Sequence, residues 1–153
     1  MIVPAELSIE VVQKELAEAI PYAASANLVI EANSLSAQHL KFSVTFHNRA
    51  GEYFYAEFDC CEYPLCPPTI EFTDEAGQGR GLKHLYPNVF HSTPCVCMRY
   101  NRKAYGDLGG PHADWRLIDW HLPTPGGGPI TSLALMISDM HTKILVSSGS
   151  MGR

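Results

Sequence analysis

Two closely spaced cysteines, Cys95 and Cys97, follow a Pro-Asn pair within residues 86–98. A cysteine on a loop is a candidate nucleophile, because a thiolate can accept and pass on an acyl group even when only a small fraction of it is ionised. The side-chain amide of Asn88 could then stabilise the oxyanion that forms. The alternative is that both cysteines are small buried residues on a short strand and that Asn88 only makes the turn.

A longer motif surrounds these residues. It begins with Tyr-Pro-Leu-Cys-Pro-Pro-Thr-Ile-Glu-Phe-Thr at residues 63–73, continues with Tyr-Pro-Asn at 86–88 and ends with Val-Cys-Met at 96–98. This order resembles the core of the ubiquitin-conjugating (E2) enzymes, in which Tyr-Pro-x-x-Pro-Pro-x-x-x-Phe-x-Thr precedes His-Pro-Asn and then a cysteine between two hydrophobic residues. The resemblance implies that Cys97 forms a thioester and that Asn88 supplies the oxyanion-hole amide.

The motif departs from the E2 pattern at several positions. Tyr86 stands where the family usually has His. Gly79 and Gly81 lengthen the loop before the Pro-Asn pair, and Pro94-Cys95 replaces the usual Gly-x. This pattern is most similar to the compact E2-like proteins that bacteria encode beside an E1-like enzyme and a ubiquitin-like protein, often in antiphage operons.

The resemblance implies three partners and no cofactor. The partners are an E1-like activating enzyme, a ubiquitin-like protein held as a thioester, and a protein substrate that supplies an amine. The E2-like fold also occurs in non-catalytic modules that bind ubiquitin or mediate other interactions, and these generally lack the cysteine. An interaction module therefore stays open as the alternative function.

Length and composition limit the class of protein. With 153 residues and 46% hydrophobic content, the chain suits one domain, predicted at residues 1–146, with a flexible Gly- and Ser-rich tail at 147–153. A net charge of −5 without basic runs argues against nucleic-acid binding. There is no apolar run of membrane-spanning length, and five cysteines, an odd number, do not suggest a disulfide framework, so we expect a cytoplasmic protein.

Hydrophobic periodicity predicts the elements that must position the cysteines. An apolar stripe at helical spacing predicts a first helix within residues 6–20 that ends at Pro21. A change to period two predicts strands near 27–33, 39–47, 52–59 and 69–73. The expected fold is α+β: an N-terminal helix, a four-stranded antiparallel meander, the active-site loop and a C-terminal helix opened by Pro129. The resemblance implies the shortened form of the E2 fold.

Residues 99–128 are polar and rich in Gly and Pro, and they enclose Trp115 and Trp120. A loop of this length is uncommon in a compact domain unless it is functional or partly structured. The two tryptophans predict that this loop packs against the core. The segment Trp-His-Leu-Pro at residues 120–123 could correspond to the Trp-x-Pro element that follows the catalytic cysteine in E2 enzymes.

Candidate auxiliary groups surround the cysteines in sequence. Tyr86 occupies the family's His position, His91 could carry a proton, and an acidic residue could orient the incoming amine, as one does in many E2 enzymes. Asp119 is one candidate for that last role beside Asp107 and Asp114, and the spacing selects none of them. We predict no metal site, because Cys-Cys-x4-Cys and Cys-x-Cys do not match the paired knuckles of structural zinc sites.

The first helix is a main docking surface for the activating enzyme in E2 enzymes, where it usually carries basic residues. Here its polar side holds Glu6, Glu10, Glu15 and Glu18 against Lys14 alone. The resemblance therefore implies an E1-like partner whose basic surface meets Glu10, Lys14 and Glu18. The alternative is that the glutamates only solvate the helix and favour its N-terminal half through the helix dipole.

Overall fold

The computed structural model describes residues 2–124 and 128–152. The elements, in chain order, are helix α1 (Ala5–Ser25), strands β1 (Val29–Glu31), β2 (Lys41–His47), β3 (Tyr53–Asp59) and β4 (Thr69–Thr73), and helix α2 (Leu133–Leu145). The predicted α+β layout and the predicted strand positions are confirmed. Between β4 and α2 lie short 3₁₀ turns, at Lys83–Leu85, Arg102–Ala104, Gly106–Leu108 and Leu117–Asp119. Gly126 and Gly127, near the end of the long polar loop, lie outside the described residues.

The four strands form an antiparallel meander in the order β1-β2-β3-β4. Every second residue of β2 is buried, because side chains along a strand alternate between the two faces of a sheet. The register places buried residues opposite one another, as in Phe42 with Phe58 and Ala56 with Phe72. The rings of Phe42 and Phe58 stack with their centroids 4.8 Å apart. One face of the sheet is therefore a continuous apolar surface, and it must be covered.

Helix α1 covers part of this face and contacts β1. It does not end at Pro21, as the sequence predicts, but continues to Ser25 with Pro21 inside it. Proline removes one N–H donor from the helix and crowds the carbonyl four residues earlier, but packing retains the last turn. Ala23 is buried there, and the hydroxyl of Tyr22 lies 2.6 Å from Nδ1 of His141 on α2.

Helix α2 begins at Leu133, where the hydroxyl of Ser132 accepts a hydrogen bond of 3.3 Å from the backbone N–H of Leu135. The predicted start at Pro129 is therefore wrong, and that residue lies in the irregular segment before the helix. A Ser at this position caps a helix by satisfying one of its free N–H groups. The buried face of α2 packs against α1 and β2. In the part of the chain that the structure describes, neither helix is long and apolar enough to cross a lipid bilayer.

Glu15 joins the two helices to the proline-rich segment after β3. Its Oε1 accepts a hydrogen bond of 2.5 Å from the hydroxyl of Tyr63 and one of 2.8 Å from the backbone N–H of Leu133. Burial and this carboxylate raise the pKa of Tyr63 well above its usual range. A carboxylate at the N-terminus of α2 is also favoured by the helix dipole. Glu15 is thus a structural residue, although the sequence places it with the solvated glutamates of α1.

Residues 147–152 pack against the Pro-Asn turn and do not form the flexible tail that the sequence predicts. The backbone N–H of Met151 donates to the carbonyl of Tyr86 at 2.8 Å, and the backbone N–H of Asn88 donates to the carbonyl of Gly149 at 2.9 Å. The side chain of Met151 is buried. The segment is too polar and glycine-rich to fold by itself, but the turn supplies partners for its backbone groups.

Candidate active site

Cys95 and Cys97 lie on an irregular segment between β4 and the 3₁₀ turn at Arg102–Ala104. The backbone N–H and carbonyl of Cys95 pair with those of His91, each hydrogen bond being 3.0 Å long, and this closes a tight loop. Cys95 and Val96 are buried, whereas Cys97 is partly exposed. Cys97 therefore offers the more accessible thiol of the pair.

Asn101 is fully buried, and its side chain connects the cysteine segment to β4 through hydrogen bonds. Its Nδ2 donates to the carbonyl of Val96 at 2.9 Å, while its Oδ1 accepts from the backbone N–H of Ile70 on β4 at 2.8 Å. The same Oδ1 accepts from the backbone N–H of Lys103 at 3.1 Å, which caps the 3₁₀ turn. The sequence analysis missed this residue. The only local signal is an Asn placed where it can cap a short helical turn.

The two thiols differ in how readily they ionise. Burial, together with the neighbouring Cys97, raises the pKa of Cys95 to about 12. Burial also raises the pKa of Cys97, but a hydrogen bond with the Cys95 thiol lowers it in part. A thiolate at Cys97 is therefore stabilised by a proton that Cys95 retains, and of the two sulfurs Cys97 ionises first.

Asn88 is exposed on the turn before the cysteines, and the C-terminal segment holds its amide. Its Nδ2 donates to the hydroxyl of Ser148 at 2.7 Å, and its Oδ1 accepts from the hydroxyl of Ser147 at 2.8 Å. An amide nitrogen carries two hydrogens, so one N–H remains for another acceptor. No hydrogen bond within residues 2–124 and 128–152 joins the side chain of Asn88 to either cysteine.

The three auxiliary candidates lie in different surroundings. Tyr86 is buried with its ring against Phe72, and burial raises its pKa to about 12, so it is a core residue and not a proton carrier at neutral pH. His91 is exposed, and its Nδ1 lies 3.0 Å from the hydroxyl of Thr93. Asp119 forms an ion pair of 3.7 Å with Arg116, on the long loop. None of the described hydrogen bonds and ion pairs connects these side chains to the thiol of Cys97.

A cavity of about 270 Å³ lies beside Cys95, the alternative nucleophile. Cys95 and Lys103 line it together with Gly110 and other loop residues, but Cys97 does not. The ammonium group of Lys103 lowers the pKa of Cys95 slightly, against the larger effect of burial. The easier ionisation of Cys97 favours this residue as the nucleophile, whereas the cavity beside Cys95 favours Cys95. Each cysteine must therefore be substituted separately to decide between them.

Glu10, Lys14 and Glu18 are exposed on α1, where the sequence predicts a docking surface. Their side chains form no hydrogen bond or ion pair with any residue in the described ranges. These three side chains are available to a partner. Glu15, by contrast, faces Tyr63 and α2.

Comparison with protein-family models, with curated proteins and with solved structures found no match. The chemistry available to the site therefore rests on its own residues. Among the described residues, no group of three or more His, Cys, Asp or Glu is placed to hold a metal ion. What the site presents is a partly exposed thiol with a second thiol beside it, on a segment that Asn101 fixes to the sheet. That arrangement suits nucleophilic acyl transfer.

Proposed function

We propose that this protein is an E2-like conjugating enzyme. It accepts a ubiquitin-like protein from an E1-like enzyme as a thioester on Cys97 and transfers it to an amine of a protein substrate. The observation that carries the proposal is the placement of Cys97, a partly exposed thiol on the irregular segment between β4 and the 3₁₀ turn at Arg102–Ala104, beside the more deeply buried Cys95. The resemblance of residues 63–98 to the E2 motif supports the same reaction.

The loading step is a transthiolation. The sulfur of Cys97 attacks the thioester carbonyl on the E1-like enzyme, a new carbon–sulfur bond forms, and the bond to the donor cysteine breaks. The proton of the Cys97 thiol passes to the departing thiolate. One thioester replaces another, so the step depends on positioning more than on a strong base. The hydrogen bond with Cys95 helps by favouring the thiolate of Cys97.

In the discharge step the amine nitrogen attacks the thioester carbonyl and a tetrahedral oxyanion forms. The bond between the acyl carbon and the sulfur of Cys97 then breaks, a proton of the amine passes to the departing thiolate, and an amide remains. The second N–H of Asn88 Nδ2 is the donor that we assign to this oxyanion, because Ser148 occupies only one of the two hydrogens. Ser147 fixes the opposite end of the amide. A donor whose orientation is set in advance stabilises a developing charge more effectively than one that must turn.

The setting of the reaction follows from the resemblance. We propose a cytoplasmic enzyme of the bacterial type that works with an E1-like enzyme and a ubiquitin-like protein in antiphage defence. A reducing compartment keeps the thiols of Cys95 and Cys97 available, and both are free in the structure. The exposed Glu10, Lys14 and Glu18 on α1 form the proposed E1-like docking surface.

A loading assay tests the proposal. The purified chain is incubated with ATP, the cognate E1-like enzyme and the ubiquitin-like protein, and adducts are separated without reductant. We expect a thiol-sensitive adduct with the unmodified chain, none with Cys97→Ala, and a thiol-resistant ester with Cys97→Ser. Cys61→Ser is the matched control, because Cys61 is exposed and distant in sequence from the motif cysteine. Loading that survives Cys97→Ala but not Cys95→Ala would move the nucleophile to Cys95.

An interaction module is the second candidate, and two observations favour it. Burial raises the pKa of Cys97, and the amide of Asn88 is already engaged by two serines. A module would bind the ubiquitin-like protein without forming an adduct. Titration calorimetry with the free modifier, run beside the loading assay, separates the two. Binding that Cys97→Ala leaves unchanged, with no adduct under any loading condition, would support the module.

A further inference from the structure

The largest cavity described lies away from the candidate nucleophile. Its volume is about 830 Å³, against about 270 Å³ for the cavity beside Cys95. It lies between the segment after β3, where Leu65 and Cys66 line it, and the long loop, where Trp115 and Leu117 line it. Ligand-binding cavities of small molecules typically span about 300–1,000 Å³. The cavity is therefore large enough for a small organic ligand.

Its apolar walls are held in place by contacts outside the cavity. The ring of Trp115 stacks on His112 with centroids 3.6 Å apart, and the guanidinium carbon of Arg99 lies 4.6 Å from the centre of the same ring. On the other wall, the carbonyl of Leu65 accepts a hydrogen bond of 2.9 Å from Nε1 of the buried Trp120. Aromatic and aliphatic side chains on its two sides suit an apolar or aromatic ligand body.

Arg102 supplies an unpaired positive charge to this cavity. Its Nε is buried and has no hydrogen-bond partner, and its guanidinium forms no ion pair with any residue in the described ranges. An unpaired guanidinium that lines a cavity favours a ligand with an anionic group. Arg116 also lines the cavity, but Asp119 already pairs with it.

Neither carboxylate that lines the cavity forms an ion pair with Arg102 among the described residues. Glu62 and Asp107 line it as well, but Oε2 of Glu62 accepts a hydrogen bond of 3.1 Å from the backbone N–H of Val3. Asp107 is exposed on the 3₁₀ turn after Arg102–Ala104 and forms no ion pair with a described residue. The backbone of Arg102 is fixed by a hydrogen bond of 2.9 Å to the carbonyl of Pro68. The guanidinium is therefore held at the cavity without an anionic partner.

We propose that this cavity binds a small organic anion, with an apolar or aromatic body between Leu65 and Trp115 and a carboxylate or phosphate group on Arg102. Guanidinium matches both groups, because its fork of N–H donors can bind two oxygens at once. The site is separate from the conjugation chemistry. Its existence does not depend on whether Cys97 carries a thioester.

A pair of fluorescent probes tests the proposal. Anilinonaphthalene sulfonate has an aromatic body and one anionic group, and phenylnaphthylamine has a similar body without the charge. We expect saturable binding of the anionic probe, weakened roughly tenfold or more by Arg102→Gln, while binding of the neutral probe changes little. Arg49→Gln makes the same charge change at an exposed residue outside the cavity and should leave both unchanged. Equal weakening of both probes by Arg102→Gln, or of neither, would overturn the proposal.

A second measurement on the unmodified chain locates the probe. Cys66 lines the cavity, whereas Cys61 is exposed outside it. Bound anilinonaphthalene sulfonate should slow the alkylation of Cys66 by iodoacetamide several-fold and leave that of Cys61 unchanged, as read site by site from fragment masses. Saturating probe that leaves Cys66 unprotected would show that it binds elsewhere and would overturn the assignment of this cavity, even if Arg102→Gln failed to fold.

Discussion

The hydroxyl of Ser147 donates a hydrogen bond of 2.8 Å to Oδ1 of Asn88, so the C-terminal segment holds the amide to which we assign the oxyanion. The same segment accepts the backbone N–H of Asn88 through the carbonyl of Gly149. The proposed donor is thus oriented by residues far from it along the chain. This relationship allows the proposed oxyanion role of Asn88 to be tested apart from its role in the turn.

Asn88→Ala should load normally and discharge slowly. Losing one oxyanion donor typically lowers the rate about a hundredfold or more, and loading does not depend on that donor in the proposed mechanism. Single-turnover discharge of a preformed thioester to a lysine or to hydroxylamine measures the second step alone. Equal loss of both steps, together with a lower melting temperature, would indicate that Asn88 only builds the turn.

Ser147→Ala should produce a weaker form of the same defect. It removes the hydrogen bond to Oδ1 of Asn88 but leaves Ser148 in contact with Nδ2. We expect discharge to slow by up to about tenfold, the effect of one neutral hydrogen bond. Ser148→Ala is the matched comparison, because it releases the N–H of Asn88 that Ser148 accepts and leaves the hydrogen bond to Oδ1 in place. A Ser147→Ala enzyme that discharges at the normal rate would show that the orientation of Asn88 does not matter.

Cys95→Ala should make Cys97 less reactive. The thiol of Cys95 lowers the pKa of Cys97 through a hydrogen bond, so its removal should shift the alkylation profile of Cys97 to higher pH. Cys95→Ser retains an O–H donor and should stay closer to the unmodified chain. The measurement is the rate of iodoacetamide labelling at Cys97, resolved by mass spectrometry, across about pH 7 to 10. A profile that moves to lower pH in Cys95→Ala would contradict the assigned hydrogen bond.

Charge reversal on α1 should slow loading by the E1-like enzyme. Glu10 and Glu18 are exposed and lack partners among the described residues, so Glu10→Lys with Glu18→Lys disturbs the surface without breaking an internal contact. The slowing should diminish as salt is raised, because salt screens exposed charges. Glu75→Lys places the same kind of charge change away from α1 and serves as the control. Unchanged loading at low salt would remove α1 from the interface.

Stability should fall as the pH is lowered through the titration of His141. Burial, and then the neighbouring His47, lowers the pKa of His141 below its usual value of 6.5. The unfolded chain therefore takes up the proton at a higher pH than the folded one, and stability is lost below about pH 6.5. His141→Gln should flatten the dependence of the melting temperature on pH, whereas His84→Gln, at an exposed site, should not. An unchanged pH dependence in His141→Gln would contradict this assignment.

The strand pattern and the second helix were predictable because each is a local property of the sequence. Alternation in β2 and the helical spacing of Leu133, Ile137 and Met140 report directly which side chains face the core. The cysteine pair could likewise be found, since residues two positions apart on an extended segment share a face. The helix boundary at Pro21 could not, because contacts of Tyr22 and Ala23 with the rest of the fold outweigh the loss of one backbone hydrogen bond.

By itself, the sequence determined the order of the elements, the apolar face of the sheet and the residues able to carry acyl chemistry. The tertiary structure decided which polar groups meet. Hydrogen bonds connect Asn101 with Val96 and β4, Tyr63 with Glu15, and Ser147 with Asn88. Sequence periodicity does not predict any of these pairs. A buried polar group must find a partner wherever the folded chain brings one. The hydrophobic pattern is a local property of the sequence. These hydrogen bonds, in contrast, form only when packing of the core has brought distant elements together.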